Sequence, residues 1–161
     1  MATIVTKLFH IVQPTRAYFG QKDAAQCVLI SRLVEDLNMD LEVVVLPTVR
    51  EPDRVAMSSR NAYLTVEERA AAPILYRSLV AAQDFYQLQV VSTISADHLK
   101  ETCIATLRRE PLVSEIQYVS VDDMETMQPL KEVGPEGCII SLAVKIGNVR
   151  LIDNLIVTSN W

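Results

Sequence analysis

The run Leu-Glu-Val-Val-Val-Leu at residues 41–46 constrains this chain more than any other feature. A nearly continuous apolar, β-branched stretch is expected of a strand covered on both faces, the situation inside a parallel sheet. Upstream, residues 16–19 contain Tyr18 and Phe19 and end at Gly20, which predicts a short strand entering a turn. Between the two, Cys27, Ile30, Leu33, Val34 and Leu37 recur at three- and four-residue intervals around Arg32, Glu35 and Asp36, so residues 22–37 are predicted to form an amphipathic helix. Strand, helix, strand is a βαβ unit of an open α/β sheet. Ahead of it, Ile4, Leu8, Ile11 and Val12 fall at helical spacing, and Pro14 stops that helix near Val12.

The remainder changes character. Thr65 and Glu68 have capping-box spacing, and an Ala-rich helical run continues to Gln87 with a kink or break expected at Pro73. Residues 95–109 read as a helix through Leu99, Cys103 and Leu107, ended by Pro111. Residues 115–121 alternate Ile116, Tyr118 and Ser120 against Gln117, Val119 and Val121, and strand-like runs at 138–146 and 149–157 flank Gly147-Asn148. The fold class expected is α/β: a partial Rossmann-like parallel sheet in residues 1–60, then a small α+β domain with an antiparallel sheet in residues 61–161. There is no repeat or low-complexity segment.

With 161 residues, half of them apolar, the chain can bury a real core. A net charge of -5 and no run of Lys or Arg longer than two residues argue against a nucleic-acid partner. Nowhere do eighteen apolar residues follow one another, so a membrane span is not expected, and the chain reads as soluble and cytoplasmic. Cys27, Cys103 and Cys138 are odd in number and lack metal-ligand spacing, and only His10 and His98 are available besides, so buried inert thiols are expected and no resident metal.

Open α/β sheets bind ligands beyond the C-terminal ends of their strands, where residues 20–23 and 47–60 fall. Gly20 permits close backbone approach, the start of the following helix offers N–H groups, and Lys22 adds a mobile charge, a combination that suits phosphate. Taken alone the pattern is weak, and a plain turn before a helix beginning with a charge pair accounts for it better. Gln26 lies one helical turn beyond Lys22, where its amide suits a ligand carrying hydroxyl and carboxylate groups. In Met57-Ser58-Ser59-Arg60, two hydroxyls and a guanidinium offer donors to phosphate oxygens and to a departing pyrophosphate. A serine at a helix start is equally an N-cap, and the two roles are compatible.

The stretches QPTRAYFGQKDAAQ, LPTVREPDRVAMSSRNAYLT and VRLIDN resemble those of pantothenate synthetases, in the same order and at similar separations. Related adenylate-forming enzymes carry a KMSKS loop where this chain has AMSSRN, which sets aside a superfamily member with another acid substrate. The resemblance implies ATP-dependent condensation of pantoate with β-alanine through a pantoyl-adenylate, with MgATP as substrate, no tightly bound cofactor, and a homodimer. It implies that Lys22, Ser58, Ser59 and Arg60 contact the ATP phosphates, Gly20 and Asp23 the ribose, Val49 and Met57 the adenine, and Gln26 the pantoate. The family also uses an N-terminal HxGH motif that this sequence does not contain. His10 stands where the family usually has asparagine, and neither histidine takes the HxGH role. The chain is therefore expected to correspond to the C-terminal part of such a ligase and to be inactive in isolation. The competing expectation is a non-catalytic dimerisation or binding module derived from that enzyme.

Overall fold

A computed structural model describes residues 1–89 and 93–158. The chain divides into two compact units between Thr48 and Val49. The loop that carries Met57 to Arg60 thus belongs with the second unit, whereas the expected boundary after residue 60 would have left it with the first.

The first unit contains α1 (Ala2–Val12), β1 (Arg16–Gly20), a 3₁₀ turn (Gln21–Asp23), α2 (Ala24–Asp36) and β2 (Glu42–Leu46). Helix α1 stops as Gln13 turns left-handed, at φ 49°, and donates its N–H to the Phe9 carbonyl just before Pro14. β1 and β2 pair in parallel, from Arg16 opposite Glu42 to Gly20 opposite Leu46, so the predicted βαβ unit is present. Its core is Phe9, Ile30 and Val34, packed with Ala17, Phe19, Leu33 and Val43, and Phe9 meets Phe19 edge-on with ring centroids 6.5 Å apart.

Three details differ from expectation. The 3₁₀ turn precedes α2, so the helix proper starts at Ala24 rather than Lys22. The 41–46 strand is not covered on both faces: Val45 and Leu46 are 43% and 47% exposed, because among the described residues β2 pairs only with β1 and packs chiefly on α2. In α1 it is Phe9 that is buried, while Ile4, Leu8, Ile11 and Val12 are exposed.

The second unit contains a 3₁₀ turn (Ser59–Tyr63), α3 (Val66–Ala71), α4 (Ile74–Leu88), β3 (Ile94–Ser95), α5 (Ala96–Leu107), β4 (Val113–Asp122), β5 (Glu132–Val133), β6 (Cys138–Ile146) and β7 (Val149–Val157). The capping box is complete, since Thr65 Oγ1 accepts from Glu68 N at 3.2 Å and a Glu68 carboxylate oxygen accepts from Thr65 N at 2.8 Å. Pro73, which cannot donate a backbone hydrogen bond, separates α3 from α4. β6 and β7 form the predicted hairpin around Gly147-Asn148, and β6 is the centre of an antiparallel sheet ordered β4-β6-β7. Leu75, Leu79 and Ala82 of α4 and Leu99, Cys103 and Leu107 of α5 bury one face of that sheet with Ile140, Leu142, Val144 and Ile146. The short β3–β5 pair had no clear sequence signal, being only two residues long on each side.

The alternation expected in residues 115–121 fails. Strand β4 shifts register against β6 between Val113 and Glu115 and again between Ile116 and Tyr118. Each bulge turns the following residues over. Ile116 and Val119 therefore pack on the same core as Val121, whereas Tyr118 is 44% exposed.

Candidate active site

The candidate residues fall into two groups, one in each unit. In the first, Gly20 ends β1 with an extended backbone at φ -85°, and a Cβ added there would meet nothing within 4 Å. The position is open, and no steric demand of the fold itself requires glycine. The Gly20 carbonyl also accepts from the Cys27 thiol at 3.4 Å. Lys22 and Asp23 occupy the 3₁₀ turn, and half-buried Gln26 lies in the first turn of α2, so the sequence places all four at the C-terminal end of β1 as expected.

The second group rides on a small hairpin. Met57 N donates to the Val49 carbonyl at 2.9 Å, Glu51 N donates to Val55 O at 2.9 Å, and Arg54 N closes the turn on Glu51 O at 2.8 Å. Arg50 and Ala56 bridge across it. The chain leaves the hairpin at Met57 and enters the 3₁₀ turn, where Ser58 Oγ accepts from Arg60 N at 3.3 Å. Ser58 is thus the N-cap that the sequence suggested. Ser59 and Arg60 are exposed, as are Val49 and Met57 at 67% and 50%. Buried Val55 and Ala56 anchor the hairpin from below, and Asn61 Nδ2 donates to the Ala56 carbonyl at 3.2 Å.

Two forked ion pairs brace this hairpin, and neither has a direct sign in the sequence. Arg69 of α3 donates to both carboxylate oxygens of Asp53, at 2.6 and 3.1 Å. That hydrogen bonding is the main reason the Asp53 carboxyl is held below its ordinary value, while the guanidinium is raised in turn. Arg50 donates to both oxygens of Asp153 in β7, at 2.7 and 2.8 Å.

Arg54 sits at the hairpin tip with φ 73°, a left-handed conformation that costs a residue with a Cβ about 1–2 kcal/mol. Its carbonyl accepts from Arg50 Nη1 at 3.0 Å, a bond that needs no Arg54 side chain. Arg54→Gly is therefore expected to stabilise the second unit by about 1 kcal/mol in denaturant titration. A loss of stability would show that the Arg54 side chain holds the hairpin in some other way.

A family model described as pantoate-beta-alanine ligase matches residues 1–156. The chain belongs to the pantoate-β-alanine ligase family. It is 52% identical over 156 residues to the pantothenate synthetase of Herpetosiphon aurantiacus, covering 97% of this chain and 55% of that protein. With the Chloroflexus aggregans pantothenate synthetase it is 51% identical over 154 residues, covering 96% and 54%. A crystal structure of the Thermus thermophilus pantothenate synthetase superposes with a TM-score of 0.87 at 40% identity, over 98% of this chain and 55% of that one. The Francisella tularensis pantoate-beta-alanine ligase, solved with β-γ ATP and β-alanine, superposes at 0.63 with 32% identity, over 96% and 48%. The chain thus spans about half the length of the relatives it matches.

Of the cysteines and histidines of this family member, Cys27 reaches the Gly20 carbonyl through its thiol, and Cys103 and Cys138 belong to the core of the second unit. All three thiols are free and buried, and desolvation pushes Cys103 and Cys138 up to about 12, so neither is a nucleophile near neutral pH. His10 bonds to the Thr6 carbonyl on its own helix, and His98 lies edge-on to Phe85. Among the described residues no helix is long and apolar enough to cross a membrane.

Proposed function

We propose that the chain carries the ATP-handling and pantoate-holding residues of a ligase that joins pantoate to β-alanine. The match of residues 1–156 to that family carries this reading. In the first step a pantoate carboxylate oxygen attacks the α-phosphorus of MgATP, and pyrophosphate leaves. The amine of β-alanine then attacks the adenylated carbonyl, loses a proton, and displaces AMP to give pantothenate, a precursor of coenzyme A. Lys22, Ser58, Ser59 and Arg60 hold the phosphates and offset the charge that builds on the leaving pyrophosphate. Gly20 and Asp23 meet the ribose, Val49 and Met57 the adenine, and Gln26 the pantoate. The open space above Gly20 and the exposure of Met57, Ser59 and Arg60 suit such contacts. A cytoplasmic setting suits three unpaired buried thiols.

The exposed stripe of Ile4, Leu8 and Ile11 on α1 favours a second reading, in which the isolated chain acts as a dimerisation or binding module. ATP separates the two. Titrated into the ¹⁵N-labelled chain, it should shift the amides of residues 20–26 and 57–60. Lys22→Ala and Arg60→Gln should each weaken binding roughly ten-fold, since charge-assisted hydrogen bonds contribute about 1.5–3 kcal/mol. Shifts confined to α1, or none at all, would sink the ligase assignment for this chain.

A further inference from the structure

The Arg50 guanidinium ties three parts of the second unit together. It forks onto Asp153 at 2.7 and 2.8 Å, reaches the Arg54 carbonyl at 3.0 Å and the Asn154 carbonyl at 3.3 Å, and lies over the Tyr76 ring of α4 with 4.4 Å from its carbon to the centroid. Hairpin, β7 and α4 thus meet at one cation. Asp153 is 2% exposed, and its Oδ1 also accepts from Asn154 N at 2.8 Å. A carboxylate desolvated this far is kept only where its hydrogen bonds are filled and its geometry fixed. What the pair controls is the hairpin of residues 50–56, whose exit leads straight into Ser58-Ser59-Arg60.

We infer that Asp153 is a positioning residue: through the Arg50 fork it sets the angle at which the hairpin presents Ser58, Ser59 and Arg60 to a triphosphate. This rests on the proposed phosphate role of those three residues. It also separates the two ion pairs by function. The Asp53–Arg69 pair is half-exposed and braces the hairpin tip from α3, whereas Arg50–Asp153 ties its base to the sheet. A displacement of about 1 Å in donors to a reacting group can change a rate or affinity by up to roughly a hundred-fold, so rigidity here has chemical consequences.

Asp153→Asn tests the inference, because it keeps the side-chain shape and removes the charge facing Arg50. In the 161-residue chain, ¹⁵N order parameters at Met57, Ser58 and Ser59 should fall from rigid values near ~0.85 to below ~0.6, with α4 and β6 unchanged. ATP affinity should drop roughly ten-fold, and the loss for Asp153→Asn combined with Arg60→Gln should be clearly smaller than the product of the two single losses, because one of the three donors that Asp153 positions is then already gone. A purely structural role would leave the order parameters unmoved and make the two substitutions additive, and either result overturns the inference. If the unsubstituted chain binds no ATP, the ligase reading fails, but the order parameters still decide whether Asp153 holds the loop. Should Asp153→Asn not fold, Arg50→Lys gives the same two readouts, since it retains a charge opposite Asp153 and loses the fork.

Discussion

Gly137→Ala should destabilise the second unit by about 2–5 kcal/mol, because two costs fall on one position. Its φ is +88°, and a Cβ there would run into the carbonyl oxygen of Val157, which is backbone and cannot swing away. The next residue opens β6, the strand whose every inward residue is buried, so the displacement would spread along the sheet. Gly134→Ala is the matched control. The three atoms nearest to its Cβ would all belong to the Glu136 carboxylate, the far end of a flexible side chain, and a change within about 1 kcal/mol is expected. Urea titration of both variants checks this, and equal effects at the two positions would refute the explanation.

Hydrogen exchange should separate the two units by a wide margin. The second encloses Leu79, Leu99, Leu107, Ile140, Leu142 and Ile146 with no exposure at all. In the first, a two-stranded sheet rests on Phe9, Ile30 and Val34, while Ile4, Leu8, Ile11, Tyr18, Val45 and Leu46 remain in water. Two strands with so small a core are marginal alone. Amides of α2 and β2 are therefore expected to exchange at least ~100-fold faster than those of β6, a difference of about 3 kcal/mol. Early proteolytic cleavage should concentrate before residue 48, and the hairpin of residues 50–56 should follow the second unit. Uniform protection in a monomer would show that residues 1–48 are self-sufficient.

What the sequence revealed was chiefly what short-range chemistry decides. The Thr65–Glu68 capping box, the break at Pro73 and the hairpin at Gly147-Asn148 each depend on residues within a few positions of one another, and each is present. The family resemblance rested on contiguous stretches too, and residues 1–156 carry it. Legibility ended where a residue's surroundings come from elsewhere. The 41–46 run reads as doubly covered because its composition is that of an interior strand, yet composition cannot say which neighbours stand beside it. The bulges in β4 depend on its register with β6, and the alternation of side chains carried no warning of them. Arg50 and Asp153 are 103 positions apart, and neither has a local signature. For the site, the sequence supplied the residues proposed to touch ligand, but the braces that hold them emerged only from the fold.

The two bulges of β4 also bear on how this domain behaves in concentrated solution. β4 forms one margin of the three-stranded sheet. A flat strand in that place would present an unbroken ladder of free N–H and C=O groups, a template onto which a strand from another molecule could grow. Two irregularities within one ten-residue strand interrupt the ladder's spacing and coil it, so an incoming strand that matches one stretch falls out of step with the next. The irregularity that hid the side-chain pattern of β4 thus protects this rim of the sheet from fibrous growth.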